Sequence, residues 1–298
     1  MTRRLIAVVG ATASGKTELA IRLAERLGGE VVNADSRQVY RGMDIGTAKP
    51  TADERARVPH LLFDIADPRD EYSLALYRAQ ALAALEEVWE RGKTPIVAGG
   101  TGQYIWALLE GWTVPEVAPD GPFRQELREF AEREGVEALH RRLVAVDPVA
   151  GERIDARNVR RVIRALEVHA HTGQPISEAQ AKCGAGFDWA AVGIDVPREE
   201  LDRRINRRTE AMFGTGFVEE VRALLDSGVA PDAPAMSSIG YRVVVSYLAD
   251  ELTLEEAVAL TAQATRRLAR RQAAWFRRSD ERIRWVGSVE EGVAVAER

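Results

Sequence analysis

Short apolar runs alternate with amphipathic stretches through the first hundred residues. Leu5–Val9 is a continuous apolar run of strand length, and Glu30–Asn33 and Pro95–Ala98 are shorter ones. Between the first two, Lys16–Leu27 reads as a helix. Residues 73–91 carry the clearest helical period: Ala81, Leu82, Leu85, Val88 and Trp89 stand at i, i+1, i+4, i+7 and i+8 and share one face. Ser73 offers an N-cap, Gly92 a C′ residue, and another helix is expected after Gly102. Strands separated by helices imply a parallel sheet, because parallel neighbours need a long crossover and the helix supplies it. The pattern breaks at 113–122, TVPEVAPDGP, with three prolines and a glycine. From about 123 to 182 the chain reads as nearly all helical, with arginine-rich faces. Trp189–Val196 returns to strand, helices run on to about 278, and Arg282–Val286 is a candidate last strand. The predicted fold is α/β: a core of residues 1–113 and 188–298, with a parallel sheet flanked by helices, interrupted by an all-helical insertion at 114–187.

The turn after the first strand carries chemistry. Gly10, Ala11, Thr12, Ala13, Ser14, Gly15, Lys16 and Thr17 spell G-x-x-x-x-G-K-[ST] between a strand and a helix, the setting that makes this motif a phosphate cradle. Glycines let the backbone curl around an anion, and successive N–H groups and the helix N-terminus point at it. Lys16 neutralises charge and Thr17 is placed to hold Mg²⁺. The plainer alternative, a glycine-rich turn with a chance lysine, does not explain the strand and helix on either side. Most P-loop nucleoside triphosphatases add an Asp at the end of a later strand for Mg²⁺. Pro95–Ala98 instead runs into Gly99-Gly100-Thr101-Gly102, leaving Asp64 and Asp35 as the candidate acids.

Composition changes this picture little. With 46% apolar and 29% charged residues, the 298-residue chain is ordinary for a folded protein. No run of about 18 apolar residues exists to span a membrane. The basic, apolar start is read as the first strand, because a glycine loop follows Val9 at once. Cys183 is the single cysteine, which excludes an internal disulfide and a multi-cysteine metal site, and the cytoplasm is the expected location. A net charge of −5 does not advertise nucleic-acid binding, but a polyanion responds to where charge sits rather than to its sum. The cations are nearly all arginine, with lysine only at 16, 49, 93 and 182, so clusters inform more than single residues. His169 and His171, two apart on a helix, face different directions and make no metal pair.

In a doubly wound sheet the strand ends near the P-loop form the site. The loop after Glu30–Asn33 presents Asp35, Ser36, Arg37 and Gln38, an acid, a hydroxyl and an amide close to the cradle. Asp35 or Ser36 as a simple helix cap is the competing reading. The GGTG turn brings Thr101 to the same edge, whether or not its glycines serve only the turn.

These motifs form a series: GATASGKT at the cradle, DSRQVYRGMDIGTAKP at 35–50, VPHLLFDIADP at 58–68 and AGGTGQYI at 98–105. NVRRVIRALEV at 158–168, IGYR at 239–242 and RRLARRQAAWFRR at 266–278 continue it. The series, in this order and over nearly the whole chain, resembles the tRNA dimethylallyltransferase (tRNA isopentenyltransferase) family. The resemblance implies transfer of a dimethylallyl group from dimethylallyl diphosphate to the exocyclic N6 of the adenine adjacent (3′) to the anticodon. The P-loop would then hold a diphosphate rather than ATP, with Mg²⁺ on Thr17. It implies Asp35 as general base, and Thr101 as a hydrogen-bonding group near the acceptor nitrogen or the carboxylate that orients them. It also implies Arg208 as the diphosphate-binding arginine, with Arg204 one helical turn away as the alternative. By the same likeness Asp35, Ser36, Arg37, Gln38 and Thr101 meet the target adenine and its tRNA. The helical insertion would grip the anticodon stem-loop through Arg124, Arg160, Arg161 and Arg164.

Arg153 and Arg157 belong to the same cluster, and its plainer reading is surface charge paired with Glu152, Asp155 and Glu167. Where Arg160 stands, the family commonly has glutamine. Trp275 or Phe276 is expected to anchor the last long helix on the core. A monomer is expected, since no long heptad seam is visible. Three rivals remain at this stage. A nucleotide or metabolite kinase would need a second Mg²⁺ acid. An enzyme prenylating free adenine nucleotides would need no large helical insertion. A non-catalytic RNA-binding nucleoside triphosphatase would tolerate the loss of Asp35.

Overall fold

The computed structural model describes residues 3–296. The chain forms two compact units, residues 1–109 with 186–298, and residues 110–185. In chain order the elements are β1 (Arg4–Val9), α1 (Lys16–Leu27), β2 (Glu30–Asn33), α2 (Ala52–Arg57), β3 (His60–Leu61), α3 (Leu74–Glu90), β4 (Pro95–Ala98) and α4 (Gly102–Leu109). The second unit holds α5 (Gly121–Glu134), α6 (Val136–Val146), α7 (Pro148–Arg153), α8 (Val159–Thr172) and α9 (Ile176–Ala179). The first unit resumes with β5 (Asp188–Ile194), α10 (Arg198–Gly214), α11 (Phe217–Asp226), α12 (Tyr241–Leu248), α13 (Leu254–Trp275), β6 (Ile283–Val286) and α14 (Val289–Ala296).

Among the described residues six strands form one sheet, all parallel, in the order β3-β2-β4-β1-β5-β6. β1 is central, and its Leu5–Val9 run is buried throughout, as a strand covered on both faces must be. Because β4 lies between β1 and β2, the turn after β4 is flanked by the turns after its two neighbours. Sequence order alone conceals this, since β4 is 62 residues downstream of β2 by its Asn33–Pro95 separation. Ser73 caps α3 by accepting from the Leu76 N–H, and Tyr77, Ala81, Ala84, Leu85 and Val88 form its buried face. Leu82 and Trp89, expected on that face, are half-buried at its margin.

The segment between β2 and α2 is irregular and is pinned from far along the chain. The Glu220 carboxylate on α11 accepts the N–H groups of Asp44, Ile45 and Gly46 at 2.7, 2.7 and 3.1 Å, and the Tyr241 hydroxyl at 2.6 Å. This gives the tyrosine of IGYR a structural task. Gly46 sits against the rings of Phe217 and Tyr241, where a Cβ would come within 2.1 and 2.6 Å of ring carbons. Gly46→Ala is therefore expected to destabilise the first unit by about 1–3 kcal/mol through overpacking, read as a lower urea midpoint.

The helical unit has its own apolar core, including Leu127, Leu139, Leu143, Val162 and Ile163. Glu167 on α8 is fully buried within this unit. It accepts two bonds from Arg124 at 2.7 and 3.0 Å, one from Arg164 at 2.5 Å and one from the Asp120 N–H at 2.8 Å. Arg164 also donates to the carbonyls of Val117 and Pro115 at 3.0 and 3.3 Å, tying α8 to the proline-rich segment.

Candidate functional site

The cradle follows β1 directly. Gly10, Ala13 and Gly15 all take positive φ, 134°, 64° and 103°, which wraps the backbone round a small centre. Lys16 begins α1 and turns back to donate to the Ala11 carbonyl at 2.7 Å. From α10, Arg208 donates to the Thr12 hydroxyl. Arg204 is bound to Glu200 at 2.8 Å and reaches the Ser14 carbonyl only at 3.5 Å, so Arg208 is the arginine set into the cradle. Burial pulls the Lys16 ammonium down to about 8, Asp35 opposing the shift and Arg208 adding to it. Burial likewise lowers the Arg208 guanidinium. Neither cation has an ion-pair partner among the described residues. Two desolvated positive groups beside a curled loop at a helix N-terminus make a receptor for a multiply charged anion.

Beside the cradle, the turn after β2 is built by Asn33, which is fully buried. Its side-chain oxygen accepts the Asp35 N–H at 2.9 Å, and its amide donates to the carbonyls of Asp35 and Leu62 at 3.2 and 3.0 Å. Asp35 Oδ1 accepts the Arg37 N–H at 2.9 Å, and Oδ2 lies on the side of Gly100, 3.7 Å from where a Cβ there would sit. The two β-turn segments are stitched together: Thr101 N–H donates to the Ala34 carbonyl at 3.2 Å. Thr101 Oγ1 accepts the Ser36 N–H at 2.9 Å and donates to Ser36 Oγ at 3.3 Å. Thr101 thus positions Ser36, the residue after the acid, and makes no bond to the carboxylate itself in this conformation. Gly99 allows the contact, because a Cβ there would lie 2.1 Å from the Ala34 carbonyl oxygen.

These walls enclose a pocket of about 310 Å³. Its lining includes Lys16, Thr17 and Arg208 of the cradle, Asp35 and Gln38 from the turn after β2, and the apolar Val31 and Phe63. Gln38 spends its amide on the carbonyls of Thr47 and Ala48, both at 3.0 Å, and so holds the wall as well as facing the pocket. Arg37 points away, donating to the Pro234 carbonyl at 3.3 Å. Asp64 is not available as a metal acid: it is bound by Lys49 and Arg55 and is not part of the pocket lining.

Three contributors escaped sequence reasoning. In the sequence Asn33 is no more than a strand end. His60 lines the pocket; its Nδ1 faces the Val58 carbonyl at 2.8 Å and so carries the proton, leaving a bare, buried Nε2 without a partner among the described residues. Gln272, on α13, joins the cradle to the GGTG turn, and only its place in the RRLARRQAAWFRR segment marked it. At the end of α13 it is Phe276, 2% exposed, that anchors the helix, while Trp275 is 44% exposed and lies over Gly102. Of the remaining predicted residues, Arg124, Arg160, Arg161 and Arg164 belong to the helical unit. Arg160 and Arg161 are exposed, whereas Arg124 and Arg164 are engaged with Glu167.

A parallel sheet whose P-loop, acid-bearing turn and Gly-rich turn share one edge defines an α/β enzyme of the phosphate-binding P-loop class. The IPP transferase family profile matches residues 38–279, and an isopentenyl transferase profile matches residues 3–63. The chain belongs to the IPP transferase family. It is 51% identical to a tRNA dimethylallyltransferase of Thermomicrobium roseum over 97% of this chain and 87% of that protein. It is 50% identical to the tRNA dimethylallyltransferase of Geobacter sulfurreducens over 95% and 91%. Among solved structures it is similar to the full-length tRNA isopentenylpyrophosphate transferase of Bacillus halodurans, 37% identical with a TM-score of 0.69 over the whole of both chains. A eukaryotic dimethylallyltransferase acting on tRNA is 25% identical with a TM-score of 0.82, over 99% of this chain and 78% of that one.

Proposed function

We propose that this chain is a transferase that moves a dimethylallyl group from dimethylallyl diphosphate to the exocyclic N6 of the adenine 3′ to the anticodon of tRNA, releasing diphosphate. The observation that carries this reading is that the carboxylate of Asp35 lines the same pocket as the two buried cations of the cradle. The cradle suits the leaving group and the carboxylate suits the acceptor nitrogen. As the allylic C–O bond breaks, its electron pair leaves with the diphosphate, where Lys16, Arg208 and the loop amides stabilise it. As the N–C bond forms, N6 becomes strongly acidic and its proton passes to Asp35. An ordinary carboxylate suffices for that transfer, so position matters more than basicity. Thr101 and Asn33 supply the position by fixing the turn on either side of Asp35.

Magnesium fits the donor set. Among the described residues no group of three or more His, Cys, Asp or Glu side chains is placed to hold a metal ion. Thr17 offers one hydroxyl on the pocket wall. Mg²⁺ is commonly held by one or two protein ligands, with phosphate oxygens and water completing its shell. Bound there, it would add positive charge to the leaving group.

Acting on tRNA requires an extruded base, since N6 of a stacked adenine is out of reach of a pocket. The helical unit is the proposed grip on the anticodon stem-loop. Arg160 and Arg161 on its surface suit phosphate contact, while Arg124 and Arg164 serve that unit by holding Glu167. No helix among the described residues is long and apolar enough to cross a membrane. A kinase reading loses support with Asp64 tied up by Lys49 and Arg55.

The test is incubation with unmodified tRNA, dimethylallyl diphosphate and Mg²⁺, followed by digestion and mass spectrometry for adenosine carrying one dimethylallyl group. Product in tRNA supports the reading. Product on free AMP alone moves the protein to the free-nucleotide class. ATP turnover without product overturns it.

A pH dependence follows from Lys16. Its ammonium loses its proton near pH 8 when the cradle is free, and a bound diphosphate raises that value. Affinity for dimethylallyl diphosphate should therefore hold below pH 8 and fall above it, by about tenfold per pH unit at most, with proton uptake on binding. Calorimetry in two buffers of different ionisation heat at pH 7 and pH 9 reads both effects. Lys16→Ala should bind weakly at both pH values and show no such slope.

A further inference from the structure

Gln272 stands where the two halves of the reaction meet. It projects from α13, is 5% exposed, and is 260 residues from the cradle in sequence. Its Oε1 accepts the Thr12 N–H at 2.7 Å, inside the P-loop. Its Nε2 donates to the Gly100 carbonyl at 3.1 Å, one residue before Thr101. A planar amide making both bonds fixes the separation of cradle and turn, because its oxygen and nitrogen have a set spacing and opposite polarity. The turn has been shaped to receive it: a Cβ on Gly100 would lie 2.0 Å from Nε2. From Gly100 the chain continues to Thr101, which holds Ser36 and so the turn that presents Asp35.

We infer that Gln272 is a positioning residue for the transfer reaction, setting the distance between the diphosphate held in the P-loop and the carboxylate that receives the proton. The inference rests on the transferase reading. Gln272 also lines the pocket, but both ends of its amide are spent on backbone groups, so its role runs through them rather than through a substrate contact. It acts through the Thr12 amide on one side and the Gly100–Thr101–Ser36 chain on the other. Reactions between two held groups are steep in their separation: a displacement of about 1 Å costs on the order of 100-fold in rate.

The experiment measures kcat with saturating tRNA and dimethylallyl diphosphate, and separately the Kd for dimethylallyl diphosphate, in wild type, Gln272→Leu, Gly100→Ala and the double variant. Gln272→Leu is expected to lower kcat by about 10- to 100-fold while Kd moves by less than about threefold. Gly100→Ala keeps the glutamine but displaces its amide, and is expected to give a loss of the same kind. The double variant should be no worse than Gln272→Leu alone, because both changes remove one interaction. Equal losses in kcat and in diphosphate affinity would overturn the inference, assigning Gln272 to the diphosphate site itself. Multiplying losses in the double variant, or full activity of Gln272→Leu, would overturn it too. Should Gln272→Leu fail to fold, the kcat and Kd of Gly100→Ala decide by the same criteria. Wild-type protein without product would bring down the transferase reading and this one together, whereas an active wild type with unaffected variants removes only the role of Gln272.

Discussion

Asp35→Asn should lower the rate of dimethylallyl transfer by about 10²- to 10⁴-fold while leaving the fold intact and, below the pH at which Lys16 deprotonates, diphosphate binding as well. The substitution is nearly isosteric, and an asparagine oxygen still accepts the Arg37 N–H that Asp35 Oδ1 now takes. The Asn33 bonds go to the backbone of residue 35 and are untouched. What is lost is a group that accepts a proton. Single-turnover transfer to tRNA reads the rate, and calorimetry with dimethylallyl diphosphate reads the binding. Lys16 feels the Asp35 charge in the folded protein, so removing that charge should also lower the pH at which the ammonium deprotonates. A variant that transfers within about threefold of wild type would place the proton acceptor elsewhere, because general-base contributions are far larger than that.

Glu167→Ala is expected to destabilise the helical unit by about 3–5 kcal/mol, the usual result of removing one partner from a buried ion pair. Glu167 is fully buried, and Arg124 and Arg164, only partly exposed, converge on it. Without the carboxylate, two guanidiniums and the Asp120 N–H lose their acceptor together. Burial alone would push this carboxyl up, but the bonds from Arg124, the Asp120 amide and Arg164 prevail and hold it down at about 2. A carboxyl lowered on folding stabilises above its unfolded value and loses that contribution as pH falls through the folded one. The wild-type contribution should therefore be full above about pH 4.5 and decline toward pH 2. Urea unfolding at pH 7 and pH 3, with hydrogen exchange on α5 and α8, measures both effects. Equal stability of wild type and variant at pH 7 would mean that water replaces the carboxylate at no cost.

The strands and their order of appearance were legible because they are short apolar runs bounded by glycine or proline. β1, β2, β4 and β6 stand within a residue or two of where periodicity puts them. β3 was not, since two half-buried residues carry no period at all. The cradle was legible because its chemistry is local: eight consecutive residues supply the loop, the lysine and the hydroxyl. The acid and Thr101 were found as residues, but their proximity depends on β4 pairing between β1 and β2, and pairing order leaves no trace in a strand four residues long. The arginines of 153–164 show the opposite limit. An arginine on a helix reads the same whether it faces solvent, as Arg161 does, or reaches back to a buried glutamate, as Arg164 does. Gln272 and Asn33 were missed for a similar reason, for a neutral amide gives no signal until its distant partners are known.

Residues 12 and 272 are partners across almost the whole length of the chain. On a ribosome the cradle therefore emerges first and waits. At about 5–20 residues per second, Gln272 follows Thr12 by roughly 13–52 s. Arg208 and Glu220 appear in the interval, and β5, which lies beside β1 in the sheet, precedes both. A nascent chain thus carries the phosphate-binding signature long before it has the parts that give it shape. A chain truncated ahead of α13 would present the motif without the finished pocket, so the active centre cannot be complete until α13 has been made.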